Sequence, residues 1–107
     1  GSKYSDLTIS CFGLSFKPNI DDLRESPALE IAKSIESMGF KKVCIIEPNI
    51  KTLPSVLAKK NTSLISIDDG IDQSDILLLL VDHEEFISLE REKLEGKFIL
   101  DTKGIWR

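Results

Sequence analysis

Lys17 and Arg24 bracket a run that also contains Asp21 and Asp22, with Glu25 directly behind. Charges of both signs this close together suit contact with a charged ligand. Ser26 is a good helix N-cap, and Pro27 fits the first helical position, where a missing N–H costs nothing. A helix starting there turns its unpaired N–H groups and the positive end of its dipole outward, and both favour an anion. The combination points to a phosphate or pyrophosphate. The usual phosphate cradles are absent: Gly13 stands alone where a dinucleotide turn needs three glycines, and there is no P-loop. Because the acids outnumber the bases in the run, a purely structural ion-pair network is the competing reading.

The elements that must position these residues follow from the apolar pattern. Leu7 to Gly13 reads as a first strand. Roughly a dozen residues then lead to Ser26-Pro27, whereas loops from strand to helix usually take about 2–6. A long loop at that place is usually a binding loop. Ala28, Ile31, Ala32, Ile35 and Met38 recur at helical spacing, and Gly39 closes the helix. Lys42 to Glu47 is a second, nearly apolar strand ended by Pro48. Thr52-Leu53-Pro54 predicts a second helix through Lys60, with Leu53, Val56 and Leu57 inward. Leu64 to Ile67 predicts a third strand, Asp68 to Ser74 at most about two helical turns, and Ile76 to Val81 a fourth strand. Glu84 to Leu94 reads as a charged helix with Phe86, Ile87, Leu89 and Leu94 on its apolar side, and Lys97 to Asp101 as the fifth strand.

Continuous apolar strands imply burial on both faces, and alternation with helices implies a parallel sheet. The expected fold is α/β: a Rossmann-like, doubly wound parallel five-stranded sheet of order 3-2-1-4-5 in a three-layer sandwich. In such sheets ligands bind outside the carboxyl ends of the strands where the order reverses, here between the first and fourth strands. Lys17, Arg24, His83 and Lys103 are thereby expected at one crevice. Glu47 takes the place of a ribose-binding acid, although a solvated strand-end acid is the simpler reading without the glycine fingerprint. His83 reads as a hydrogen-bonded turn residue or a catalyst, and Trp106 as a packing anchor or a stacking platform. The run Glu90 to Lys93 reads as a solvated helix face.

Composition narrows the classes. The chain has 107 residues, enough for one domain. A net charge of −4 argues against nucleic-acid binding, and no apolar run of about 18 residues suggests a membrane span. Cys11 and Cys44 lie in apolar strand patterns and read as buried hydrophobes; a disulfide needs the strands to be neighbours, and cysteine usage without a secretion signal reads as cytoplasmic. Gly1-Ser2 looks like the scar of a cleaved tag, so residues 1–107 are expected to be one piece of a larger protein. Neither a nucleophile with its base nor a metal-ligand cluster stands out.

The stretch Gly13-Leu-Ser-Phe-Lys-Pro-Asn-Ile-Asp-Asp-Leu-Arg-Glu-Ser-Pro-Ala-Leu-Glu-Ile resembles the signature loop of the C-terminal, UDP-binding domain of the UDP-glucose/GDP-mannose dehydrogenases. Asp82-His83-Glu-Glu-Phe and the closing Asp101-Thr-Lys-Gly-Ile-Trp are similar to family landmarks, so the resemblance covers essentially the whole chain. The wording is most similar to the UDP-N-acetyl-D-mannosamine members. The resemblance implies oxidation of the C6 alcohol of a UDP-sugar to a carboxylate with two NAD+, through a cysteine thiohemiacetal and thioester, in envelope-polysaccharide biosynthesis. It implies that Lys17 contacts the UDP-sugar and that Arg24 reaches the NAD pyrophosphate across the cleft. Lys103 matches a basic substrate-contacting position that is more often arginine in the UDP-glucose enzymes. No role comes with His83, which stays a substrate-site candidate by position. Cys11 and Cys44 do not match the catalytic cysteine, so none of the catalytic residues is expected in this piece. N-terminal and central domains of the same chain, and a homo-oligomeric full-length protein, are the implied partners. The alternative is a non-catalytic Rossmann-like regulatory or interaction module.

Overall fold

In the computed structural model, residues 4–15, 17, 19, 23–24, 26–57 and 59–106 are described. Strand β1 (Thr8–Phe12) is buried along its whole length. It lies at the centre of a parallel five-stranded sheet with β2 (Lys42–Ile46), β3 (Thr62–Leu64), β4 (Ile76–Leu79) and β5 (Phe98–Asp101), in the order β3-β2-β1-β4-β5. The expected strand order is the one observed.

Side-chain alternation splits the interior into two clusters, one per face. Ile9, Cys11, Val43, Ile45 and Leu78 meet Ala28 and Ala32 of helix α1 (Pro27–Glu36). Phe12, Ile46, Leu77 and Leu79 meet Ile71 of helix α2 (Ile67–Gln73), Phe86 of helix α3 (Glu84–Ile87), Leu94 and Trp106. Phe12 forms edge contacts with both Phe86 and Trp106, at centroid separations of 5.2 and 5.1 Å. Trp106 is thus a packing anchor, and its Nε1–H donates to the Phe86 carbonyl at 2.9 Å.

The same alternation settles the cysteines. Cys44 is in register with Ser10 in the parallel ladder, so these two share a face, while Cys11 points to the other. Both thiols are free and buried. Burial pushes the Cys11 thiol up to about 12 and raises that of Cys44.

Several elements differ from their sequence reading. Residues 51–57 and 59–60 form turns, not a helix. The stretch closes locally through Leu57 N–H to the Pro54 carbonyl at 2.9 Å. Leu57 is buried there, but Val56 is exposed. Strand β3 ends before the predicted Leu64–Ile67 run is complete, because Ser66 caps α2 by accepting from Asp69 N–H at 3.2 Å. At the other end of β3, Thr62 Oγ1 donates to the buried Glu36 carboxylate at 2.5 Å, tying β3 to the last turn of α1. The predicted helix Glu84–Leu94 breaks into α3 and a 3₁₀ turn, Arg91–Leu94. The break falls at extended Glu90, and both Phe86 and Leu94 remain in the core. The charge run at 90–93 is exposed as expected, on a 3₁₀ turn.

Candidate functional site

The strand order reverses between β1 and β4, and the chain leaves both strands there at their carboxyl ends. Gly13 makes the exit from β1 possible. Its φ is +101°, and a Cβ would sit 2.6 Å from Val81 Cβ, so the glycine serves the close crossing of β1 and β4 and not a dinucleotide turn. Its N–H donates to the Ile46 carbonyl at 2.8 Å, extending the ladder by one bond.

A crevice of about 80 Å³ opens at this reversal, lined by Ser15, Pro27, Ala28, Leu80, Val81, Asp82 and Lys103. The N-terminus of α1 forms one wall. Ser26 is its N-cap: Oγ accepts from Leu29 N–H at 3.2 Å and donates to the Leu14 carbonyl at 2.5 Å, which locks the helix start to the end of β1. Pro27 has no N–H and those of Leu29 and Glu30 are bonded to Ser26, so Ala28 keeps the remaining first-turn N–H at the crevice, which Lys103 and Asp82 also line.

Lys103 is placed by a turn that sequence reading passed over. The Asp101 carboxylate accepts from Lys103 N–H at 2.9 Å, Gly104 N–H at 2.7 Å and Trp106 N–H at 2.8 Å. Thr102 Oγ1 donates to the Leu79 carbonyl at 2.6 Å, and Gly104 takes φ +74°. The Asp-Thr-Lys-Gly wording was the available signal: a short acid followed by a glycine at the left-handed position.

Of the other expected site residues, Lys17 and Arg24 are exposed on the loop and are not among the lining residues of the crevice. The Lys17 carbonyl is held by Ser15 Oγ–H at 2.7 Å. The proposed partners Asp21, Asp22 and Glu25 lie outside the described residues.

His83 is fully buried beneath the loop, with Nε2 2.8 Å from Glu47 Oε1. Glu47 is a solvated strand-end acid no longer: it is 3% exposed. Its Oε1 accepts from Leu14 N–H at 2.9 Å and Ser15 N–H at 3.1 Å, and its Oε2 from Asn49 N–H and Nδ2–H at 3.0 Å each. Those donors occupy the carboxylate, so it is not available to a ribose. Burial raises the Glu47 carboxyl, but the hydrogen bonds from His83, Leu14 and Asn49 outweigh it and hold the group below the ordinary carboxylate value. No metal-ligand cluster occurs among the described residues.

Comparison with known proteins places this geometry. Residues 10–107 match the profile of the UDP-glucose/GDP-mannose dehydrogenase family, UDP binding domain. The chain is 46% identical over 103 residues to the UDP-N-acetyl-D-mannosamine dehydrogenase of Salmonella typhi, covering 96% of this chain and 24% of that protein. It is 41% identical over 104 residues to the NDP-N-acetyl-D-galactosaminuronic acid dehydrogenase of Ralstonia nicotianae, covering 97% of this chain and 24% of that protein. The chain thus spans about a quarter of the length of these relatives. Among solved structures, the UDP-D-ManNAc dehydrogenase of Pyrococcus horikoshii superposes with TM-score 0.75 at 25% identity, over 98% of this chain and 23% of that one. The GDP-mannose dehydrogenase of Pseudomonas aeruginosa superposes with TM-score 0.72 at 26% identity, over 94% of this chain and 25% of that one. By sequence and by fold, the chain belongs to the UDP-glucose/GDP-mannose dehydrogenase family and carries its UDP-binding domain.

Proposed function

We propose that this chain is the C-terminal nucleotide-sugar-binding domain of an NAD-dependent UDP-sugar 6-dehydrogenase. The substrate read from the relatives is UDP-N-acetyl-D-mannosamine, oxidised at C6 to UDP-N-acetyl-D-mannosaminuronate. The observation that carries the reading is the convergence of Lys103 and the α1 N-terminus on one crevice at the strand-order reversal. In this reading Lys17 and Lys103 contact the nucleotide-sugar, and Arg24 reaches the cofactor pyrophosphate from across the cleft. His83 contributes through the loop above it.

The residues present fit one phosphate contact and not a whole dinucleotide site, since Gly13 is committed to packing against Val81. NAD, when bound, supplies the two-electron oxidant, and two equivalents with one water take a primary alcohol to a carboxylate. The cofactor's main site and the catalytic cysteine are assigned to N-terminal and central domains of a longer, cytoplasmic, homo-oligomeric protein. The isolated domain is accordingly inactive.

Calorimetry with UDP tests the binding half. UDP is expected to bind with preference over inorganic pyrophosphate, and Lys17→Ala to weaken it about tenfold, the scale of one charge-assisted hydrogen bond. Unchanged affinity in Lys17→Ala sinks the role of Lys17. Equal binding of all anions favours an interaction module instead.

A further inference from the structure

Asn19 is the non-glycine residue with positive φ among the described residues, at +63°. The turn between β4 and α3 holds it from two sides. Its backbone N–H donates to His83 Nδ1 at 2.6 Å, and its Oδ1 accepts from Glu84 N–H at 2.9 Å. The second bond caps α3, whose N-cap residue His83 makes no side-chain cap of its own. A backbone amide can only donate, so Nδ1 carries the lone pair and Nε2 carries the ring proton. That proton faces Glu47 Oε1 at 2.8 Å, with Ser15 Oγ at 3.3 Å beside it. A continuous hydrogen-bonded path therefore runs from the end of β2, through a buried imidazole, to the middle of the charged loop. A buried polar pair of this kind is no better for stability than an apolar one, but it fixes orientation.

We propose that Glu47 and His83 form a positioning clasp for the ligand-binding loop: Glu47 sets the His83 tautomer, His83 holds Asn19, and Asn19 sets how Lys17 and Arg24 meet a nucleotide's phosphates. This rests on the reading of Lys17 and Arg24 as phosphate contacts. The groups around the ring are the Glu47 carboxylate, Asn49 Nδ2 at 3.5 Å from Nδ1, Ser15, and Phe86 with its centroid 5.3 Å away. Asp82, half-buried, and Glu84, exposed, flank His83 in the chain.

The test combines nuclear magnetic resonance with UDP titration on the 107-residue chain. At neutral pH, a trans-hydrogen-bond coupling between the Asn19 amide nitrogen and His83 Nδ1 is expected, with slow Asn19 amide exchange. Both are lost in His83→Gln while the core amides stay protected. UDP affinity falls about tenfold in the same variant. Glu84→Pro deletes the donor to Asn19 at a first helical position that accepts proline, and weakens UDP about threefold; Glu84→Gln keeps the donor and the affinity. A folded His83→Gln with wild-type affinity overturns the proposal. Should His83→Gln fail to fold, unchanged affinity in Glu84→Pro overturns it. If UDP does not bind the wild type, the ligand reading fails by itself, and a protonated Nδ1 or fast Asn19 exchange at neutral pH then overturns the clasp.

Discussion

At the scale of single residues, Glu47 carries the largest consequence. It accepts from Leu14, Ser15, Asn49 and His83 at once, so removing it strands several buried donors. Glu47→Ala is expected to cost about 3 kcal/mol of folding stability, measured by urea unfolding. The pH dependence has a definite sign. The folded carboxyl lies below its ordinary value, so its stabilisation is complete above about pH 4.3, the unfolded value, and is lost as pH falls through the folded one. The stability gap between wild type and Glu47→Gln should therefore shrink in acid; a gap that widens there contradicts the assignment. Cys11 makes a second residue-scale prediction. With its thiol pushed up to about 12 by burial, it stays protonated and should resist a thiol reagent at mildly alkaline pH until denaturant is added. Equal labelling rates with and without denaturant would contradict its burial.

At the scale of elements, the start of α1 and the exit from β1 are one device. Ser26 caps α1 and bonds the Leu14 carbonyl, so it joins helix to strand as well as satisfying a helix N–H. Ser26→Ala should cost about 1–2 kcal/mol, read as a shift in thermal midpoint, with Ser26→Asp retaining the cap but not the donated bond. Gly13→Ala meets both a positive φ and the Val81 side chain, and a loss of about 2 kcal/mol or more is expected from the same measurement. A neutral result there would show that β1 and β4 can part at the reversal, and the crevice with them.

At the scale of the whole molecule, the sheet is covered unevenly. The face of β5 that holds Phe98 and Leu100 is exposed, at 64% and 44%, while Ile99 on the other face packs into the core. Phe98→Ser should change the stability of this domain by less than about 0.5 kcal/mol, as for other surface sites. Spanning about a quarter of its relatives, the chain should reduce no NAD+ when mixed with UDP-N-acetyl-D-mannosamine, whereas a full-length protein containing it should form two NADH per sugar. Turnover by the domain alone would remove the assignment of chemistry to other domains.

The sequence by itself determined the α/β class, the strand order and the place where the order reverses. Those follow from apolar runs such as Val43–Ile46 and Leu77–Leu80, from the Ser26-Pro27 cap, and from the handedness of crossovers, all of which are local or general. The loop wording from Gly13 to Ile31 also carried the family. What it did not determine were the roles of Glu47, His83, Asn19 and Asp101, or the loss of a helix at 52–60. His83 and Glu47 are 36 positions apart, and Asn19 and Glu84 are 65 apart. Contacts at such separations leave no period or spacing in the chain, and whether a strand-end acid meets water or three backbone amides depends on which strands lie beside it. Tertiary structure alone decided that Glu47 is buried, that His83 lies beneath the loop, and that the loop from Gly13 has a fixed point at Asn19 between its two basic residues.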